Sequence, residues 1–130
     1  RDRGSVVLVE NKKVGLLKET REGLTYYVFP GGGIEEGETL EIAAKREALE
    51  ELGVKVSIKE CIAKVEFSGG TQPFSAEIVE GTFGTGLGEE YSDETRDRGT
   101  YLPIWVGIDE LSTLDVKPKE VALKVQSLFK

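Results

Sequence analysis

The 130-residue chain has no histidine, no methionine and a single cysteine, Cys61. Without histidine there is no imidazole to serve as base, nucleophile partner or metal ligand, so acid, base and metal chemistry falls mainly to carboxylates. One cysteine allows no internal disulfide and no thiolate zinc cage, which points to a reducing, cytoplasmic compartment. No apolar run approaches the roughly 18 residues that would span a bilayer, and no basic head followed by an apolar stretch marks a signal peptide, so no membrane partner is expected. The chain begins at Arg1 with no Met anywhere, as expected where a start residue and some neighbours have been removed. Positive charge is short as well: 17 Lys and Arg stand against 24 Asp and Glu, for a net charge of -7 and a pI near 4.8. Nucleic acid is a poor partner for such a surface. If the substrate is a phosphate compound, positive charge must come from another source, and a divalent metal is the obvious one.

What the chain does contain suits one domain, residues 1–130, in which 38% apolar residues can fill a core without staples. Ser5 to Glu10 and Val14 to Lys18 alternate as a hairpin turned at Asn11 to Lys13, and Leu24 to Phe29 reads as a third strand. Pro30 and Gly31 to Gly33 then interrupt regular structure. A helix follows from Thr39, a fair N-cap, to Gly53, a C-terminal glycine. Its buried side is expected to carry Ile42, Ala48, Leu49 and Leu52. Val54 to Ile58, Ile62 to Phe67 and Phe74 to Val79 read as antiparallel strands. Gly81 to Asp97 reads as a mobile polar loop, and Tyr101 to Ile108 as a strand with Trp105. Pro118 opens a last helix with a stripe of Val121, Leu123 or Lys124, Val125 and Leu128. Mixed strands with two helices make an α/β or α+β sandwich.

The stretch Arg46-Glu47-Ala48-Leu49-Glu50-Glu51-Leu52-Gly53-Val54 carries the chemistry. At about 100° per residue, Glu47, Glu50 and Glu51 fall within an arc of roughly 100°. Glu47 and Glu51 form a like-charge i, i+4 pair that costs an isolated helix about 0.2 to 0.5 kcal/mol, so something must offset the repulsion. A hard cation with oxygen ligands would do so. Arg46, four residues before Glu50, is placed to hold that carboxylate by a charged hydrogen bond. Taken alone, a Glu-rich helix face is more often an ordinary solvated surface.

The spacing upstream alters that balance. Gly32 is followed by Glu38, then Arg46-Glu47, Ala48, Glu50-Glu51, Gly53 and Val54, matching G-x5-E-x7-R-E-U-x-E-E-x-G-U with only a small residue at the first U. Across Gly32 to Val54 the chain resembles the Nudix hydrolases, whose order of strands and helices it also follows. The resemblance implies a mixed β-sheet sandwiched between helices, and hydrolysis of a nucleoside diphosphate linked to another group by water attack on phosphorus. It implies that Glu47, Glu50 and Glu51 hold Mg²⁺ or Mn²⁺ with a main-chain carbonyl of Gly31 or Gly32, that Arg46 orients the glutamates, and that Glu38 braces the loop. Glu47 is the first candidate for the base, with an acid from Glu89, Glu90, Asp93 or Glu94 as the alternative.

Tyr27, Phe74 and Trp105 are candidates to stack on a base, together with Tyr26 and Tyr101, although aromatics on alternating strands are more often core. Subfamily signatures beyond the motif are missing or faint, with Pro73, Leu16, Leu17 and Arg21 only distant echoes. What remains resembles the small (deoxy)nucleoside triphosphate pyrophosphohydrolases. An ADP-ribose or nucleotide-sugar pyrophosphatase is the alternative enzyme, and a non-catalytic nucleotide-binding module the alternative class. Members of the group often dimerise, so a homodimer is left open.

Overall fold

A computed structural model of the chain describes residues 2–62, 70–85 and 100–129. Eight strands and two helices follow one another as β1 (Arg3–Glu10), β2 (Lys13–Arg21), β3 (Leu24–Val28), β4 (Gly31–Gly33), α1 (Leu40–Leu52), β5 (Val54–Cys61), β6 (Thr71–Gly81), β7 (Thr100–Gly107), β8 (Val116–Lys117) and α2 (Lys119–Phe129). The mixed sheet runs β5-β6-β1-β2-β3-β8, with β4 added to β1 and β7 to β2. The β1–β6 and β3–β8 pairs are parallel and the others antiparallel.

Two hairpin turns open the chain, and both place consecutive residues in the left-handed region: Asn11 and Lys12 at φ 51 and 61, then Glu22 and Gly23 at φ 52 and 78. That geometry matches the twist of the flanking strands. The β1–β2 pairing extends only over Val9↔Val14 and Glu10↔Lys13. Beyond it β1 runs with β4 and β6, while β2 runs with β3 and β7, so the sheet divides into two wings.

Alternation along β1 gives each face a core. Val6 and Leu8 pack with Leu17, Ala44, Ala48, Leu52, Val54 and Phe74 beneath α1. Val7 packs with Val14, Leu16, Phe29, Val121, Ala122 and Val125 beneath α2. The result is a helix–sheet–helix sandwich, the expected class. Among the described residues no helix is long and apolar enough to cross a membrane.

Both helices bury only part of the stripe expected of them, Ala48 and Leu52 on α1 and Val121 and Val125 on α2. On α1 the buried residues are Ala43, Ala44, Ala48 and Leu52, whereas Ile42 and Leu49 are half exposed. At 100° per residue positions 43, 44, 48 and 52 fall on one half of the helix and 42 and 49 on the other, and at its first residue the helix runs so close to β1 that a Cβ on Gly4 would overlap the Leu40 carbonyl oxygen. On α2 Val121, Ala122 and Val125 are buried and Phe129 packs beside them, while Leu123 and Leu128 are about half exposed. At 100° per residue positions 121, 122, 125 and 129 share one arc, with 128 at its edge and 123 opposite.

Three strand assignments also differ. The triple glycine is itself strand β4, buried and paired to β1 as Arg3↔Gly33, Gly4↔Gly32 and Ser5↔Gly31. β5 runs unbroken to Cys61 with two register shifts. β6 starts at Thr71 and carries Pro73 inside it, whose carbonyl accepts from the Ile62 N–H at 2.8 Å. The remainder of the expected Ile62 to Phe67 strand, and most of the Gly81 to Asp97 loop, lie outside the described residues.

Candidate active site

Helix α1 has the caps its sequence announces. The Thr39 side chain accepts from the Ile42 N–H at 3.1 Å, and Gly53, at φ 80, donates its N–H to the Leu49 carbonyl at 3.0 Å. So anchored, α1 lies across β4, and the acidic face meets the glycines directly.

Arg46 organises the junction. Its Nε and Nη2 donate to the two carboxylate oxygens of Glu38 at 2.7 and 2.9 Å, a bidentate pair, and Nη2 also donates to the Gly33 carbonyl at 3.1 Å. Nη1 lies 3.5 Å from Glu50 and 3.6 Å from Glu47. Its pKa is driven up, first by the Glu38 hydrogen bond, so it stays charged at every working pH. Glu38 Oε1 also accepts from the Glu35 N–H at 2.9 Å, tying the loop back to the helix.

The three glutamates occupy different surroundings. Glu51 Oε1 accepts from the Gly31 N–H at 2.9 Å. Glu50 is half exposed. Glu47 is only 16% exposed and its carboxylate lies against Gly32, where an added Cβ would overlap it. Burial raises the Glu47 pKa to about 7; Arg46 opposes the rise and the neighbouring Glu50 adds to it. A side chain at position 32 would therefore push the Glu47 carboxylate from this seat.

The donor set is all oxygen, with no soft ligand, which suits Mg²⁺ or Mn²⁺. A carboxylate kept from water beside a second one is the electrostatic situation that a bound cation relieves. Among the described residues no three acidic, His or Cys side chains already stand grouped around one ion position. Glu47 and Glu50 face each other, whereas Glu51 is turned onto Gly31.

A cavity of about 350 Å³ opens beside this junction where the two wings separate. Arg3, Ser5 and Thr71 line one side and Glu19, Tyr26 and Lys117 another, over Val28, Phe29 and Pro118. Ser5 connects it to the carboxylates, because Ser5 pairs with Gly31 and Gly31 donates to Glu51. Arg3 also belongs to both places: it lines the cavity, and its charge pulls the Glu47 pKa downward.

A family model described as the NUDIX domain matches residues 1–125. The chain belongs to the NUDIX domain family. An oxidized purine nucleoside triphosphate hydrolase of Mus musculus is 33% identical over 69% of this NUDIX chain, which spans about half (54%) of that protein's length. A NUDIX hydrolase from Nitrosomonas europaea superposes with a TM-score of 0.74 at 21% identity, over 96% of this chain and 85% of that one. An ADP-ribose pyrophosphatase from Streptococcus suis superposes with a TM-score of 0.70 at 13% identity, over 97% and 89%. At those identities the two structures speak for the shared fold alone.

The NUDIX motif thus sets Arg46, Glu47, Glu50 and Glu51 on one helix beside Gly31 and Gly32, with Glu51 turned onto Gly31. The aromatic candidates do not join it. Alternation along β3 turns Tyr26 into the cavity, while Tyr27 packs against the α2-side core. Phe74 is 5% exposed within the α1-side core. Trp105 stacks on Phe83, ring centroids 4.4 Å apart, over Gly15 of β2. Glu94, with Glu89, Glu90 and Asp93, lies outside the described residues. Ser5, Arg3, Glu19, Thr71 and Lys117 carried no signal as cavity residues, because they come from four distant strands; the TYY alternation in β3 was the one local hint.

Proposed function

We propose that this chain is a metal-dependent pyrophosphohydrolase acting on (deoxy)nucleoside triphosphates, with Mg²⁺ or Mn²⁺ held by Glu47, Glu50 and Glu51 beside the Gly31–Gly32 backbone. The observation that carries the reading is the register Ser5↔Gly31 with the Gly31-to-Glu51 hydrogen bond, which sets a nucleoside-sized cavity one strand away from the carboxylates. When bound, such a cation neutralises a diphosphate and acidifies water.

The chain's own residues do the rest. Arg46, locked by Glu38, holds Glu50 and Glu47 in position against their mutual repulsion. Glu47, seated against Gly32 with Glu50 beside it, is the candidate to take a proton from the attacking water. Arg3 stands between cavity and carboxylates, where a phosphate joining the two would pass. In a chain of net charge -7, the described lining residues give the cavity two cations, Arg3 and Lys117, against the carboxylate of Glu19, which favours an anionic ligand.

The cavity lies at the small end of ligand sites, which run from about 300 to 1,000 Å³. That volume suits one nucleoside moiety better than the two of ADP-ribose-type substrates, which keeps the sugar-nucleotide pyrophosphatase as the second reading. The mouse relative named for triphosphates supports the first. Retention of all three glutamates speaks against a non-catalytic module.

The test is release of phosphate or pyrophosphate with Mg²⁺ across a nucleotide panel, comparing the intact chain with Glu51→Gln. A loss of at least about tenfold is expected for the variant. Equal release by both would end the catalytic reading.

A further inference from the structure

We propose that Glu19 and Lys117 are a specificity-determining pair in the cavity and select guanine over adenine by its hydrogen-bonding edge; this rests on the cavity's being the nucleoside site. Glu19 on β2 stands directly across from Tyr26 on β3, and its carboxylate holds the Tyr26 hydroxyl above the usual phenol range. Lys117 on β8 runs beside Val28 of β3 and sets its Nζ 4.6 Å from the centre of the Tyr26 ring. The Lys117 ammonium thus rests on an aromatic face rather than on a carboxylate. A base entering the cavity to stack on Tyr26 displaces this cation from the ring toward the base's edge, and meets Glu19 beside it.

A second observation marks the cavity as a place for a polar ligand. Ser5 is 5% exposed, and its Oγ is a buried hydroxyl on the cavity wall without a hydrogen-bond partner among the described residues. Thr71, 6% exposed, lies on the neighbouring strand. Burying a hydroxyl without a partner costs roughly 1–3 kcal/mol, so an apolar occupant gives it nothing.

The pair decides which base. An ammonium only donates and a carboxylate only accepts. Guanine presents a carbonyl oxygen for Lys117 and, next to it, two adjacent donors, N1–H and the 2-amino group, for the two oxygens of Glu19. The carboxylate has about four lone-pair directions, enough for Tyr26 and both guanine donors. Adenine turns an unprotonated ring nitrogen toward the carboxylate, or offers its one amino group from the other edge. In neither pose does it satisfy both oxygens. Hypoxanthine, lacking the 2-amino group, falls between. A site built to pair with a group rejects the analogue that lacks it more strongly than an apolar pocket can.

The experiment is isothermal titration with GMP, IMP and AMP in Mg²⁺, read independently of turnover, on the intact chain, Glu19→Gln and Lys117→Met. The intact chain is expected to bind GMP at least tenfold tighter than AMP, with IMP between. Glu19→Gln should bring the GMP-to-AMP ratio within about threefold, and Lys117→Met should weaken GMP and IMP more than AMP. Equal affinity of the intact chain for GMP and AMP, or an unchanged ratio in Glu19→Gln, overturns the proposal. Lys117→Met weakening all three nucleotides equally removes Lys117 from the pair by showing that it reads the phosphate. Failure of catalysis with the preference intact would sink the hydrolase reading alone, and Glu51-dependent turnover without base preference would sink this one alone.

Discussion

Replacing Glu47 with Gln removes a carboxylate that the metal-free fold charges only at a cost. Its pKa rises from 4.5 to about 7, chiefly by burial, so the folded state holds a proton that the unfolded chain releases earlier. The sign follows from linkage: a raised folded-state pKa contributes stability in full below pH 4.5, and that contribution is lost as pH climbs through 7. The gap, at about 1.4 kcal/mol per pH unit, corresponds to about 3 kcal/mol between the two ends. The neighbouring Glu50 carboxylate contributes to the rise.

With chelator present, Glu47→Gln should therefore be more stable than the parent by about 3 kcal/mol at pH 8, and by about 1 kcal/mol or less at pH 5. For a domain of this size 3 kcal/mol is on the order of 10 °C in Tm, within easy reach of thermal unfolding followed by circular dichroism. Millimolar Mg²⁺ should raise the parent's Tm at pH 8 more than at pH 5, because the ion binds the folded carboxylates and not the unfolded chain, and should leave the variant nearly unmoved. A variant that gains equally at both pH values, or that loses stability at pH 8, would refute the assignment of a desolvated carboxylate against Gly32.

Arg46→Lys keeps the charge but not the fork on Glu38, and should lower stability by about 1–2 kcal/mol, with at least a tenfold loss of turnover. Gly32→Ala drives the Glu47 carboxylate off its seat. Turnover should fall at least about tenfold, and the pH dependence of metal-free stability should flatten because Glu47 moves into water. Leu52→Ala should cost about 2–5 kcal/mol by urea unfolding, whereas Leu49→Ala, half exposed on the same helix, should cost well under 1 kcal/mol. Equal effects would contradict the orientation of α1.

How much of this was legible depended on whether the information was local. The caps of α1, its length and the shared face of Glu47, Glu50 and Glu51 follow from residues within a few turns of one another, and sequence resolves such spacings. The triple glycine was legible as a motif yet not as a strand. Three residues with high turn preference become β4 because Gly31 has no room for a Cβ against Ser5 and Gly32 none against Glu47, a constraint imposed from outside the segment. The strand read from Phe74 likewise starts earlier, at Thr71, so that Pro73 lies inside β6 between β1 and β5.

The cavity was the least legible part, and the reason is topological. Its walls come from β1, β2, β3, β6 and β8, and which alternating residue faces it is fixed by pairings far apart in the chain, such as Ser5 with Gly31 and Glu19 with Tyr26. A one-residue slip of β3 would exchange Tyr26 for Tyr27 at the cavity and leave the composition untouched. The motif could therefore be read while the pocket beside it could not. The glutamates form a local cluster on one helix, whereas the cavity-lining groups exist as a set only once the short β1–β2 pairing lets the wings part. It follows that substitutions at the β1–β2 turn, more than 15 residues before the motif, should alter which nucleotide binds before they alter whether the carboxylates hold an ion.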